Sequence, residues 1–187
     1  MKEDTQILRR FLEENDLAAI VRLARVRRRV LSHLTALTYD PDPTIADRAI
    51  AAMGPVAGVL ADADPEFVRG HLRRLFWLLN DESGGIGWRA AEAIGEIIRA
   101  RPARFAEFIP NLIWLLDMEP EDAGRFQPGI LRGIMRVAEV TDLADRGDLH
   151  DLLEKLRGSE NPEVRALAER CRRQISAGGP PRQPDSA

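Results

Sequence analysis

Residues 75–97, LFWLLNDESGGIGWRAAEAIGEI, decide the fold class of this chain. Leucines at three- and four-residue spacing predict a helix that is buried on one face and ends near Asn80: Leu72, Leu75, Leu78 and Leu79. Asp81-Glu82-Ser83 and the glycines after it predict a tight turn, because side-chain oxygens there can accept from free amide groups. Small residues then line a second helix and allow another helix to pack closely: Ala90, Ala91, Ala93 and Gly95.

Weaker copies of this two-helix pattern recur along the chain. Taking one apolar residue at the start of each second helix as a marker, successive markers lie 41, 40 and 38 residues apart: Ile45, Ile86, Phe126 and Val164. The first helices agree, because LFWLL at 75–79 aligns with LIWLL at 112–116. A period of about 40 residues in a helical chain indicates stacked two-helix repeats.

The repeat resembles HEAT repeats, especially the short bacterial type called PBS-lyase HEAT-like repeats. A typical unit turns through Asp and Pro and continues as Val-Arg-x-x-Ala-Ala-x-Ala-Leu-Gly. Asn161-Pro162-Glu163-Val164-Arg165 carries that turn, and DPDPTI at 40–45 is close to it. The resemblance covers residues 31–175 and implies an all-α, right-handed α-α superhelix of about four helical hairpins with an N-terminal helical cap. It says little about activity, because function depends on sites rather than on the fold.

The central unit departs from the family pattern. Gly84-Gly85 replaces the usual Pro-Glu pair, and Gly87 stands where an Arg is usual. The resemblance therefore does not predict the usual Arg-to-Asp contact between units at this point. Residues 1–176 are predicted to form one domain, and the small, Pro- and Gly-rich residues 177–187 are predicted to be a disordered tail.

Composition indicates a folded domain of ordinary type. The chain has 187 residues, of which 44% are hydrophobic and 30% charged, and its net charge of −3 argues against general nucleic-acid binding. The single cysteine excludes an intramolecular disulfide. The N-terminus lacks the apolar core of a signal peptide, and no apolar run approaches the length of about 18–20 residues that spans a bilayer. We expect a cytoplasmic protein that does not enter a membrane.

The pattern also predicts where the other helices begin and end. A first helix spans 2–14, with Asp16 as the N-cap of a longer helix that continues to about Tyr39. Pro55 should kink or break the next helix, and Pro110 implies a bend or a restarted helix. Residues 118–127 are predicted to be a long acidic loop, with the following inner helix beginning at Pro128.

No residue set in the chain has the spacing of a catalytic or metal site. His33, His71 and His150 are isolated in sequence, and each is expected at the surface or at the boundary of the core. Cys171 falls in the small-residue stripe of the last repeat, which favours core packing over a nucleophile. We therefore expect no catalytic residues, no metal and no cofactor.

The glycine-rich turn is a candidate for a loop contact: Asp81, Glu82, Gly84, Gly85 and Gly87. It is not a P-loop, because no Lys-Ser/Thr follows. Free amides at the start of the next helix could hold an anion. Asp81 and Glu82 would repel one, so a tight turn that carries a special contact is the favoured interpretation.

The inner helices offer a candidate partner-binding surface on the concave face: Trp88, Arg89, Glu92, Glu96, Arg132 and Arg136. An exposed aromatic beside Arg and carboxylates is typical of binding hot spots. The alternative is that Trp88 packs on a neighbouring loop. Trp77 and Trp114 sit at equivalent repeat positions and are expected to pack between units.

A second candidate surface is the basic cluster Arg22, Arg25, Arg28 and Arg29, with Arg27 among them. The favoured interpretation is a solvated helix face whose Arg stems cover apolar surface. The alternative is a basic patch for an acidic or phosphate-bearing partner.

The leading functional prediction is a non-catalytic scaffold, monomeric or weakly dimeric, that binds a protein partner on its concave face. HEAT-like repeats also occur in phycobilin lyase subunits and in a family of DNA glycosylases. A tetrapyrrole lyase-like or DNA glycosylase-like subunit is therefore one alternative, the latter with Asp81, Trp88 and Arg89 as its residues. The other alternative is an anion or nucleic-acid binder that uses residues 22–29.

Overall fold

The structure, a computed structural model, describes residues 2–79, 87–117 and 120–177, and every regular element in these ranges is helical. The first helices are α1 (Lys2–Glu13), α2 (Leu17–Val26), α3 (Val30–Leu37), α4 (Pro43–Ala63) and α5 (Pro65–Leu79). The later helices are α6 (Ala90–Ala100), α7 (Pro102–Phe105), α8 (Ile109–Trp114), α9 (Pro120–Ala138), α10 (Gly147–Leu156) and α11 (Pro162–Ser176). Short 3₁₀ turns at Gly87–Arg89 and Ala106–Phe108 precede α6 and α8. The all-α prediction is confirmed.

The helices pack in the order in which they occur. α4, α6, α9 and α11 contact one another in sequence, and α3, α5, α8 and α10 each pack against the helix that follows. At the N-terminus, α1 packs on α3 and α2 packs on α4. A single hydrophobic core runs through these contacts, from Leu8 in α1 to Ile175 in α11.

Glycines allow the backbones of α6 and α9 to approach very closely. A Cβ added at Gly95 would lie 2.6 Å from the Cα of Gly133 and would collide with its carbonyl oxygen. A Cβ at Gly133 would in turn collide with the Ala91 carbonyl oxygen. Each contact is backbone on backbone, so no side chain can move aside. The small residues predicted from the sequence are thus explained, because a larger residue would push the two helices apart.

Polar caps define several helix ends. Asp16 caps α2 as predicted, because its Oδ1 accepts from the Ala19 amide at 2.8 Å. Asp42 and Asn161 cap α4 and α11 in the same way. Asn15, with a φ of 55°, lets the chain turn from α1 into α2.

The predicted single helix from Leu17 to Tyr39 is wrong, because residues between α2 and α3 leave the helical conformation. Arg27 is extended, with φ −137° and ψ 84°, and Val26 remains 79% exposed. The break gives each half its own buried face, since α2 packs on α4 through Ile20 and Ala24 while α3 buries a separate stripe beginning at Val30. Apolar spacing alone does not reveal this change of direction.

Two helices continue through a proline. α4 is not broken at Pro55, so that part of the prediction is wrong, while a kink there stays a prediction. Ala51, whose carbonyl Pro55 leaves without a helical donor, is an exposed residue. α9 begins at Pro120 and continues through Pro128, so the prediction of an acidic loop at 118–127 is wrong for the part that the structure describes. The Gly124 carbonyl, which Pro128 leaves without its helical donor, accepts instead from Asn161 Nδ2 at 3.1 Å. The prediction at Pro110 is confirmed, because a new helix, α8, begins at Ile109.

α4 is long and apolar enough to span a bilayer by length and composition, so the expectation that no segment reaches that length is wrong. In the fold, 67% of its apolar window is buried within the protein, and core helices of soluble proteins meet the same criterion. This observation alone therefore does not distinguish a membrane helix from a core helix.

Candidate binding surface

The structure places three of the predicted partner-binding residues, Arg89, Glu92 and Arg132, in two sets of ion pairs that together join four helices. Arg89, just before α6, pairs with Asp47 of α4. Arg132 of α9 lies between Glu92 of α6, at 3.3 Å, and Glu163 of α11. We call these five residues the charged ladder: Asp47, Arg89, Glu92, Arg132 and Glu163. Its members alternate in charge and connect α4, α6, α9 and α11.

Glu96 and Arg136 form a second group beside the ladder. The Glu96 side chain is only 2% exposed, and its two carboxylate oxygens accept from Arg99 at 2.7 Å and pair with Arg136 at 3.1 Å. Glu139 closes the group by pairing with both arginines. A buried carboxylate needs such partners, because removing it from water without compensation is very unfavourable.

Trp88 is 39% exposed and sits beside the ladder. One edge of its ring packs against Tyr39, with centroids 6.1 Å apart and planes at 75°, and the Arg89 guanidinium lies 5.4 Å from its centroid. The ring thus packs on its neighbours while a substantial fraction of it faces solvent, and its role in partner binding stays a prediction. Such a fixed, half-exposed aromatic loses little conformational freedom when a partner covers it.

Burial sets the electrostatics of this surface. It raises the pKa of the Glu92 carboxyl, and the nearby guanidinium groups of Arg132 and Arg89 oppose the shift. Burial likewise raises the pKa of Tyr39. Arg89 Nε is buried without a hydrogen-bond partner among the described residues, so this group has hydrogen-bonding capacity left.

The glycine-rich turn falls mostly outside the described residues. Asp81, Glu82, Gly84 and Gly85 lie there, so their predicted roles in a loop contact or in a glycosylase-like site stay predictions. Gly87 is buried, and a Cβ at this position would collide with the Leu78 carbonyl oxygen. Close packing against the end of α5 is therefore sufficient reason for a glycine at 87.

The arginines of the predicted basic patch are exposed: Arg22, Arg25, Arg28 and Arg29. Arg28 makes a long ion pair with Asp64 at 3.5 Å and lies over the Phe67 ring at 5.2 Å. Arg27 pairs with Asp4 at 2.5 Å. The Arg28 guanidinium thus lies over an aromatic ring, while the four arginines of the patch stay exposed.

Trp77 and Trp114 do not pack between units, so that prediction is wrong. Their side chains are 63% and 69% exposed. The interior positions beside them are taken by leucines, and Phe76 rather than Trp77 stacks on Phe108, at 5.9 Å between centroids.

The prediction for His71 is also wrong, because this histidine is 4% exposed and lies inside the core. Its Nε2 is 3.0 Å from the Thr35 hydroxyl, and burial, assisted by the charge of Arg74, lowers its pKa to about 4. Cys171 is fully buried, and burial raises its pKa to about 12, which disfavours the thiolate that a nucleophile needs.

Sequence reasoning missed three residues of the surface: Tyr39, Asp47 and Glu163. A signal for Asp47 was present, since Asp47 and Arg89 are 42 residues apart and the ladder pair Glu92 and Arg132 is 40 apart. Glu163 has no such signal, because it lies 31 residues from Arg132. Oppositely charged residues one repeat apart fall on neighbouring helices, where they can pair. Tyr39 gives no comparable signal, because it follows the end of α3 and reaches Trp88 only through the fold.

Within the described ranges, no group of three His, Cys, Asp or Glu side chains is placed to hold a metal ion. A comparison of the chain with protein-family models, curated proteins and solved structures finds no significant match.

Proposed function

We propose that this chain is a HEAT-like, right-handed α-α superhelix of four helical hairpins with an N-terminal helical cap, acting as a non-catalytic scaffold in the cytoplasm. Its partner is a protein that binds the face of α4, α6, α9 and α11. The ordered packing of these four helices, each paired with the helix before it in the chain, supports the superhelical arrangement.

The observation that carries the functional proposal is the position of Trp88 beside the charged ladder. Its half-exposed ring lies 5.4 Å from the Arg89 guanidinium, and the start of the helix that follows, α6, carries Glu92, which pairs with Arg132. Tryptophan and arginine are enriched among residues that dominate the free energy of protein–protein binding, and a rim of charged groups around such an anchor is usual.

The charge pattern indicates what kind of partner surface fits. Carboxylates lie on α4, α6 and α11, and guanidinium groups lie just before α6 and on α9, so a uniformly acidic or uniformly basic partner would meet like charges on part of the ladder. A protein surface with an apolar pocket for Trp88 and mixed charges around it satisfies both features. A nucleic-acid backbone, with one sign of charge throughout, does not.

The test is a pull-down from native lysate with three versions of the protein: wild type, Trp88→Ala and Trp114→Ala. Trp114 is the matched control, because it is more exposed than Trp88 and lies on α8, outside the proposed surface. We expect a protein that wild type and Trp114→Ala capture equally and that Trp88→Ala loses. Circular dichroism verifies that each variant is folded.

Two outcomes would contradict the proposal. Equal loss of the captured protein in both variants would indicate non-specific adhesion through exposed aromatic rings. Co-purification of a coloured cofactor or of nucleic acid, retained in place of a protein, would favour the lyase-like or glycosylase-like alternative.

A further inference from the structure

A cleft of about 380 Å³ opens where α2 and α3 separate. It lies among the N-terminal helices, whereas the charged ladder ends on α11, the last helix. Its apolar floor comes from three helices: Leu8, Leu23, Val26 and Val30. Its polar rim comes from the interhelical residues and two neighbours: Arg27, Arg28, Arg29, His33 and Asp4. Its volume lies within the range of about 300–1,000 Å³ that small-molecule sites occupy.

The break between α2 and α3 creates this cleft, and the break leaves an apolar side chain in water. Val26 is 79% exposed, the highest exposure among the large hydrophobic residues in the described part of the chain. Leu8 and Val30 beside it are buried, so the floor continues from the core to the solvent. An apolar ligand group resting on this floor would remove Val26 from water, which is favourable.

The rim supplies positive charge that the protein itself does not fully neutralise. Arg27 is paired with Asp4 at 2.5 Å, and Arg28 reaches Asp64 only at 3.5 Å. Arg29 forms no ion pair with any carboxylate that the structure describes. Guanidinium groups bind carboxylate and phosphate with paired, charge-assisted hydrogen bonds, so an uncompensated arginine at an apolar cleft favours an anionic group.

We propose that this cleft binds a small soluble anionic amphiphile: a carboxylate or phosphate group attached to a short apolar chain or ring. The anion pairs with Arg29 and Arg28, and the apolar part covers Val26 and Leu23. Arg22 and Arg25, which the sequence grouped with these residues, do not line the cleft and take no part in binding.

The test is a titration of the whole chain with octyl phosphate below its critical micelle concentration. Calorimetry measures the binding, and changes in backbone amide NMR shifts locate it. Inorganic phosphate and octyl glucoside are the controls for the anionic group alone and the apolar group alone. We expect saturable binding of octyl phosphate, weaker binding of both controls, and shifts confined to α1, α2 and α3.

Two exposed substitutions test the two halves of the cleft without disturbing the core. Arg29→Gln removes the uncompensated charge, and Val26→Asp places a carboxylate on the floor. Each should raise the Kd at least tenfold, about 1.4 kcal/mol in binding free energy. Arg22→Gln removes the same charge from the same basic cluster outside the cleft and should leave the Kd unchanged.

Three results would overturn the proposal. Equal weakening by Arg22→Gln and Arg29→Gln would mean that binding is general charge attraction. Inorganic phosphate binding as tightly as octyl phosphate would remove the role of the apolar floor. Binding to vesicles that contain phosphatidic acid, with no binding of soluble octyl phosphate, would identify a membrane surface as the ligand instead.

Discussion

Individual polar residues inside this protein have environments that the sequence does not show. His71 lies on α5 among leucines that the helical pattern correctly places in the core. The same pattern allows a histidine at this position to lie at the edge of the core instead. What decides its burial is a partner 36 residues away, the Thr35 hydroxyl on α3. Helical periodicity places a residue on a face, but only the packing of two helices determines which polar groups meet.

His71 should make stability depend on pH. Its pKa is about 4 in the folded protein and near 6.5 when unfolded, so the unfolded state binds the proton first as pH falls. The contribution of neutral His71 to the free energy of unfolding is therefore fully present above about pH 6.5 and is lost as the pH falls to about 4. At pH 5 the free energy of unfolding should be about 2 kcal/mol lower than at pH 8. Urea unfolding at the two pH values measures this difference.

The comparison for His71 is with the variant His71→Gln. Between pH 8 and pH 5 its free energy of unfolding should fall by about 2 kcal/mol less than that of wild type, because glutamine does not titrate. An unchanged pH dependence in His71→Gln would show that His71 is not neutral in the folded protein.

Charge pairing at the residue scale also has a signal in the sequence that is easy to overlook. The Asp47–Arg89 and Glu92–Arg132 pairs each join residues about one repeat apart, 42 and 40 positions. A search for opposite charges at the repeat period would have found them. Glu96 was found as an acidic residue beside Trp88, but its near-complete burial depends on the close approach of α4 and α6 at Gly54.

At the scale of helices, the contact between α6 and α9 should tolerate a larger side chain least. Gly95→Ala should destabilise the protein by about 3 kcal/mol, because the new methyl group meets backbone atoms of Gly133 and the helices must separate. Gly70→Ala is the matched control, since a Cβ there has no neighbour within 4 Å. That variant should be more stable than wild type by about 0.5–1 kcal/mol, because alanine favours a helix.

Chemical denaturation of the two glycine variants gives the comparison. If Gly95→Ala lowers the free energy of unfolding by no more than about 1 kcal/mol, α6 and α9 are not in direct backbone contact.

The buried carboxylate that links α6 and α9 should matter more than the exposed ones. Glu96→Gln should lower the free energy of unfolding by about 2 kcal/mol, because it removes charge-assisted hydrogen bonds from a buried site. Glu163→Gln, at an exposed end of the ladder, should cost less than about 0.5 kcal/mol. Equal effects in denaturant titrations would show that the Glu96 group is as solvated as the ladder.

Helix type and most helix positions were predictable, while helix continuity was not. Asp16 marked the start of α2 correctly, and the leucine spacing predicted α5, which ends at Leu79. Pro128 was misjudged, because the carbonyl that it deprives of a donor finds one in Asn161, on another helix. Local rules for proline count hydrogen bonds within one helix and cannot include a donor that the tertiary structure supplies.

For the whole molecule, the continuous core predicts that the chain unfolds as one unit. Trp77 and Trp114 are exposed, so Trp77→Phe/Trp114→Phe should fold normally and leave Trp88 as the only tryptophan. We expect the Trp88 fluorescence transition and the circular dichroism transition to coincide in urea, because buried residues connect α1 to α11 without interruption.

The alternative for the whole molecule is unfolding in stages. A Trp88 transition at lower urea than the loss of helix would show that the region around α6 separates from its neighbours first. That result would divide residues 1–176 into more than one cooperative unit.

The order in which the helices pack also bears on how the chain is made. α4, α6, α9 and α11 each contact the one before, and each of them also packs against the helix that directly precedes it in its pair. A chain leaving the ribosome can therefore dock each new pair of helices on a surface that has already formed, without waiting for the C-terminus. α1 and α2 are synthesised first and pack on α3 and α4, the next helices to emerge. The newest pair is then the one with an uncovered apolar edge, and that edge stays uncovered only until the next pair, about 40 residues later, has emerged.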